Sequence, residues 1–178
     1  MNLIFDCETD GLYDDVSCIH CLVTKDLETG QLIRYNDQGN SPSITTGVTM
    51  LMEAETVIGH NIIGYDIPVL KKIYPFFTPP EAVDTLILSR LIHGNILDVD
   101  RKKNWRNMPL QLFGRHSLES YGYRLGEYKG SFGKTSDWKE WSQEMEDYCA
   151  QDVEVTYKLW HHFLKKFTSQ SQPALSTK

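Results

Sequence analysis

The 178-residue chain carries a formal net charge of −6, with 40% hydrophobic and 24% charged residues. This balance suits a soluble globular protein with one domain and a sizeable core. It argues against a coating protein that holds nucleic acid on a broadly basic surface. No apolar run is long enough to span a membrane, and the N-terminus lacks the basic and apolar segments of a secretory signal. A cytoplasmic, monomeric protein with no membrane partner is therefore expected.

In chain order, Leu3-Ile4-Phe5 runs into Asp6-Cys7-Glu8 and is closed by Thr9-Asp10-Gly11-Leu12, which predicts a buried strand ending in a turn. Side chains alternate along a strand, so Asp6 and Glu8 share a face. Two carboxylates side by side at the end of a core strand repel one another and are costly to desolvate unless a cation, a shared proton or a basic partner is supplied. Val16–Thr24 and Gln31–Tyr35 predict two further strands around an Asp-Leu-Glu-Thr-Gly turn, an antiparallel meander with the first. Within it, Cys18 and Cys21 spell C-x-x-C. Positions three apart on a strand face opposite sides, and no second Cys/His pair completes a tetrahedral site, so reduced cysteines are expected. Ser43 caps a predicted helix over Ile44–Ala54.

Glu55–Asn61 reads as a short buried strand, a helix starts near Asp66 with Pro68 in its first turn, Glu81–Asp84 reads as a last strand, and Thr85–Leu91 as a helix. Gly94–Gly114 is expected to be irregular. Its Arg101-Lys102-Lys103, Trp105 and Arg106 suit either a solvated loop or a nucleic-acid-facing one, with cations for phosphates and an aromatic for stacking. Ser117 caps a short helix to Leu125, Gly126–Glu140 is expected as a loop, and Ser142–Phe167 as one long helix or two that nearly join. The polar 168–178 segment is expected to be a disordered tail behind a 1–167 domain. Three strands, then alternating helices and strands, predict an α/β, ribonuclease H-like mixed sheet with an antiparallel three-strand meander, flanked by helices.

Two more acids join the first pair. Asp66 stands at a strand-to-helix junction, where it could be an N-cap or a ligand, and Asn61 before it could be a loop former. Tyr148 and Asp152 lie four apart on the last helix, hence on one face. As a set, Asp6, Glu8, Asp66 and Asp152 suit magnesium or manganese, which prefer carboxylate oxygens. Two such ions about 4 Å apart can serve both the attacking and leaving oxygens of an in-line phosphoryl displacement, with Tyr148 aiming the water.

DCETDGL, NIIGYD and YCAQD, in that order, resemble the three motifs of the DEDD superfamily of DnaQ-like 3′–5′ exonucleases. A Tyr four residues before the last Asp is similar to the DEDDy branch. VDTLILSRLIHGN and GRHSLESYGYRLGEYKG resemble the proofreading domain of T-seven-like phage family A DNA polymerases, and nothing resembles a polymerase palm, fingers or thumb. The resemblance implies a 3′–5′ DNA exonuclease releasing 5′-mononucleotides with two divalent cations, Mg2+ or Mn2+. It implies that Asp6 bridges both ions, that Glu8 and Asp152 complete the tighter site, and that Asp66 serves the second ion. Tyr148 would orient the water, Thr9 and Leu12 would lie beside the terminal nucleotide with Leu12 as an apolar wedge, and Asn61 would face substrate. The partner would be DNA with a single-stranded or frayed 3′ end, and a DNA polymerase, covalently linked or separate, where the domain serves one. A ribonuclease D-like RNA exonuclease and a catalytically silent nucleic-acid-binding module are the alternatives.

Overall fold

In a computed structural model, the described residues are 1–103, 105, 107–127 and 137–170, without the side chains of 169 and 170. Five strands form one sheet: β1 (Asn2–Thr9), β2 (Ile19–Asp26), β3 (Leu32–Asn36), β4 (Thr56–Gly59) and β5 (Glu81–Asp84), in the order β3-β2-β1-β4-β5. β1 pairs antiparallel with β2, and β2 with β3, while β1–β4 and β4–β5 are parallel. The helices are α1 (Ile44–Glu53), α2 (Asp66–Ile73), α3 (Thr85–Ile92), α4 (Ile96–Lys103), α5 (Leu118–Leu125) and α6 (Gln143–Gln170). This is the predicted mixed sheet, with the meander on one side and parallel crossovers on the other.

Strand alternation divides the core. Leu3, Phe5 and Cys7 of β1 join Leu22, Tyr35 and the apolar stripes of α1 and α2 on one face. Ile4, Cys21, Val23 and Ile58 meet Met145, Cys149, Ala150 and Val153 of α6 on the other. Asp6 and Glu8 continue the Ile4 row, so they emerge on the α6 side. The 28 residues of α6 reach about 40 Å. Its second half packs Val155, Leu159 and Phe163 against Ile96 and Tyr121 in a separate cluster. Buried Glu146 fixes its first half: its carboxylate accepts from Asn36 Nδ2 at 2.7 Å and Trp141 Nε1 at 3.2 Å and lies 3.7 Å from Arg34. Lys25 of β2 pairs with Glu154 at 2.6 Å.

The local signals mostly hold. Ser43 Oγ accepts from the Thr46 amide at 3.2 Å and Ser117 Oγ from that of Ser120 at 3.3 Å, as N-caps should. Three expectations change. Val16–Cys18 does not join β2, because the Asp10 carboxylate takes the amides of Ser17 (2.9 Å) and Cys18 (3.1 Å) and folds them into a loop. Gly94–Gly114 is not wholly irregular: it contains α4 and a 3₁₀ turn over Leu110–Leu112. α4 buries only Ile96 among its apolar residues and is held instead by a buried charge. Asp100, fully buried, receives Arg124 through Nε (2.9 Å) and Nη2 (2.7 Å), the Trp105 indole N–H (3.0 Å) and the Gly114 amide (2.8 Å). Finally, α6 is one continuous helix that runs through Thr168 to Gln170, so those three positions are helical rather than tail, and 171–178 lie outside the described residues. Most of the expected Gly126–Glu140 loop, 128–136, also lies outside them. No helix among the described residues is long and apolar enough to cross a membrane. All four cysteines are free thiols.

Helix and sheet approach closely at Gly47 of α1, where a Cβ would fall 2.6 Å from Leu22 Cδ2 and 2.8 Å from the Tyr35 ring. Both neighbours are buried at their own positions and cannot yield without opening the core. Gly47→Val is therefore expected to destabilise the fold by about 1–3 kcal/mol, read as a lowered midpoint of urea unfolding. An unchanged midpoint would show that α1 can lift off the sheet at no cost.

Candidate active site

The site forms where β1 runs out of the sheet. Its ladder with β2 is regular from Leu3 to Glu8 and slips at Glu8/Thr9. Only one shifted pair, Thr9 with Ile19, follows the slip, so the ladder ends just after Asp6 and Glu8 have been aimed at α6. Beyond it, the Thr9 and Tyr65 hydroxyls, 2.5 Å apart, lie 3.0 and 2.6 Å from the Gly11 carbonyl, a triangle closed by two hydroxyl protons. The loop after the first two acids is thus tied to the turn that leads into Asp66.

Asp66 is the first residue of α2, with Tyr65 in the cap position. It does not cap its helix: its Oδ1 accepts from the Cys7 amide at 3.3 Å and the Cys7 thiol at 3.1 Å. Cys149 Sγ, one helical residue from Tyr148, likewise donates toward Asp6, 3.3 Å from its carbonyl and 3.4 Å from its Oδ2. Burial, helped by nearby acids, pushes both thiols well up, so each remains a protonated donor that steadies a carboxylate. Ligand atoms of Asp6, Glu8 and Cys149 lie within 4.8 Å of one another. Asp152 accepts from the Tyr148 hydroxyl one turn earlier.

The electrostatics show how closely the acids gather. Asp6 is raised well above the usual carboxylate range by burial, then by Glu8, Asp66 and Asp152. Glu8 is raised by burial and by Asp152 and Asp66. Burial lifts Asp66 to about 6 against the Cys7 bonds, and lifts Asp152 to about 7 against the Tyr148 bond, with Asp66 adding to the rise. The Tyr148 phenol is pushed up by burial, then by Asp152, Glu8 and Asp6. Among the described residues no lysine, arginine or histidine forms an ion pair with any of these four acids. Desolvated carboxylate oxygens without a counter-charge are a donor set that fits a hard divalent cation such as magnesium or manganese.

Asp6, Glu8, Asp66, Tyr148 and Asp152 are therefore brought together. The three residues expected to face substrate are placed differently from one another. Leu12 stands 78% exposed, Thr9 is buried with its hydroxyl engaged in the Tyr65 clamp, and Asn61 is exposed with a left-handed backbone at φ 65°. Trp105, expected as a possible stacking platform, is tied to Asp100, with Lys103 Nζ 5.5 Å above its ring. Sequence reasoning missed the two thiol donors, the Tyr65 clamp and Glu119 of α5, whose charge reaches both Asp152 and Tyr148. Cys7 stands between Asp6 and Glu8 in D-C-E, a signal that could have found it, whereas Cys149 is flanked by Tyr148 and Ala150 and carries no such signal.

A five-stranded 3-2-1-4-5 sheet with acids at the end of β1, on α2 and on α6 defines the ribonuclease H-like, DnaQ-like exonuclease fold. Solved structures share it: Brucella melitensis NrnC (TM-score 0.65, 19% identity, 95% of this chain and 74% of that one) and the Aedes aegypti Nibbler EXO domain (TM-score 0.63, 12% identity, 96% and 80%). Escherichia coli ExoI bound to ssDNA is a third (TM-score 0.57, 15% identity, 98% and 41%). Residues 2–168 match the 3′–5′ exonuclease family of DNA polymerase A type, and the chain belongs to it. It is 34% identical to the DNA-directed DNA polymerase of Escherichia phage T7 and 32% to that of Enterobacteria phage T3, in each case over 91% of this chain. It spans only 26% of the length of either relative.

The crowded acids have a measurable consequence in metal-free protein. Unfolded, such carboxyls titrate near 4, whereas the folded chain holds Asp66 to about 6 and Asp152 to about 7. Between these values the folded state binds more protons than the unfolded one, so stability falls as pH rises through about 5 to 7. Histidines His60 and His93, both lowered to about 4 by burial, act in the opposite direction below about 6.5, which leaves pH 6.5–8 as the clean window. Across it, the melting temperature of wild type is expected to fall by several degrees relative to Asp152→Asn, since about 1 kcal/mol moves a domain of this size by about 2–4 °C. Parallel profiles for the two proteins would mean that Asp152 does not share its charge with the other acids.

Proposed function

We propose that this chain is a 3′–5′ exodeoxyribonuclease of the proofreading type. It would remove 5′-mononucleotides from single-stranded or frayed 3′ ends of DNA, with its catalytic unit in residues 1–167. The observation that carries this reading is the convergence of four acids from three distant segments, none of them ion-paired among the described residues, with a phenol hydrogen-bonded to one of them. Magnesium bound in the NrnC structure of Brucella melitensis and the phage polymerase relatives support the ion and the substrate class respectively.

Asp6, Glu8 and Asp152 would hold one divalent ion, and Asp6 with Asp66 a second. When bound, the ions would supply positive charge for the phosphate oxygens and for the leaving group. The protein's own groups do the rest. The Cys149 and Cys7 thiols keep Asp6 and Asp66 oriented. The Tyr148 hydroxyl, anchored on Asp152 and kept protonated by burial and the neighbouring acids, orients the attacking water and takes no proton from it. Water adds to phosphorus and gives up a proton to solvent, the P–O3′ bond breaks, and the departing 3′ oxygen takes up a proton from solvent, leaving a 5′-mononucleotide and a strand one residue shorter. Leu12, exposed at the tip of the clamped loop, would wedge against the last bases, while Thr9 and Asn61 line the terminal nucleotide. The partner beyond DNA would be a DNA polymerase, linked or separate, acting in the cytoplasm of a host cell.

The test is digestion of a 5′-labelled single-stranded DNA oligonucleotide with Mg2+, with Mn2+ and with chelator, beside a matched RNA. A metal-dependent ladder that shortens from the 3′ end, faster on DNA, is expected. Equal or faster digestion of RNA would move the substrate to the ribonuclease D-like reading. Asp6→Ala and Asp152→Ala should each abolish cleavage, and Tyr148→Phe should slow it about 10- to 100-fold. Full activity in Asp6→Ala would overturn the assignment.

A further inference from the structure

We infer that Asp84, outside the acidic cluster, is a positioning residue for the site: it fixes the turn that carries Asn61 and delivers Asp66. The inference rests on the divalent-ion reading above for its functional consequence and on geometry for the rest.

Asp84 ends β5, pairs with Gly59 of β4 and is buried. Its Oδ1 accepts from the Asn61 amide at 2.9 Å and the Leu86 amide at 2.9 Å, and its Oδ2 accepts from the Ile63 amide at 3.0 Å. One carboxylate therefore does two jobs. The Leu86 bond caps α3. The other two reach across to the turn after the neighbouring strand and take up the amides of Asn61 and Ile63. In that turn Asn61 sits at φ 65°, a conformation with a cost for a residue bearing a Cβ. Gly59 admits no side chain, since a Cβ there would lie 2.2 Å from Ile62 Cγ2 and 2.8 Å from the Phe5 carbonyl.

From the held amides the constraint passes along the backbone. The Asn61 carbonyl accepts from Gly64 (3.1 Å) and Tyr65 (3.0 Å), and that of Ile62 accepts from Ile67 (2.9 Å). These bonds set the first turn of α2 and so the direction of Asp66. Thr85 adds a second tie, its Oγ1 donating to the Gly59 carbonyl at 3.1 Å.

Only a carboxylate serves all three amides. It offers two acceptor oxygens with about four lone pairs and a full charge. An Asn there would turn an NH2 toward an amide N–H whichever way it flips. A Ser could still cap α3, at which Ser and Asp are about equal, but its single short hydroxyl cannot also reach Asn61 and Ile63. Asp84→Ser thus separates the cap from the turn.

The full chain would be compared as wild type, Asp84→Ser and Asp84→Asn, by calorimetric titration with Mn2+ and by amide hydrogen exchange. The expected result for Asp84→Ser is a dissociation constant for Mn2+ weakened about 10- to 100-fold, the range for loss of a group that supports a metal ligand. Exchange should quicken at Ile63 and Tyr65, with α3 still protected. Asp84→Asn, which keeps size and one oxygen, should show the same direction in both readouts. Wild-type exchange at Ile63 and Tyr65 in both variants would overturn the inference, as would unchanged Mn2+ affinity. A wild type that binds no Mn2+ would instead refute the divalent-ion reading, and the exchange comparison would still decide on Asp84.

Discussion

Mutual repulsion among Asp6, Glu8, Asp66 and Asp152 is the constraint that the rest of the molecule answers to. Left in water, four carboxylates would separate and hydrate. Here they are drawn from β1, α2 and α6 into one partly desolvated place, and the cost appears as carboxyls held far above their ordinary titration range. The surrounding fold must overcome that cost. Apolar packing on both faces of β1 supplies most of the force, and the network around Glu146 and the Lys25–Glu154 pair lock α6 against the meander.

The supporting donors follow from the same constraint. A lysine or arginine beside the acids would relieve the repulsion but would also compete with any cation for them. Among the described residues the acids meet weak, neutral donors instead: two thiols, a phenol and the Cys7 amide. Each orients a carboxylate oxygen without cancelling its charge. Burial keeps those thiols and the phenol protonated, so the neutrality of the supporting groups is itself a product of packing.

Much of this was legible in the sequence because it depends on short-range geometry. Alternation along Leu3–Glu8 put Asp6 and Glu8 on one face, and the four-residue step from Tyr148 to Asp152 put them on one helical surface. Ser43 and Ser117 announced their helices, and a mixed sheet with an antiparallel meander followed from the sequence of elements. What escaped notice depends on distant partners. α4 buries only Ile96 among its apolar residues and is held instead by the buried ion pair of Asp100 with Arg124, which no local pattern announces. Val16–Cys18 alternates like strand, yet the Asp10 carboxylate captures its amides. The Tyr65 clamp, the thiol bonds and the Asp84 anchor join segments far apart in the chain, and no local pattern marks them.

The joining of segments so far apart has a consequence for how the protein is made. Cys149 meets Asp6 across 143 positions of sequence, and Asp152 lies beyond it on the same helix. The β1 acids emerge first during synthesis and wait, hydrated and apart, until α6 closes over the sheet. Contacts of such long range form late, because the entropy of closing the loop between them must be met before they contribute anything. The acidic cluster is therefore completed only once α6 is in place, and a ribosome-bound fragment that stops short of α6 carries Asp6, Glu8 and Asp66 without Tyr148 and Asp152.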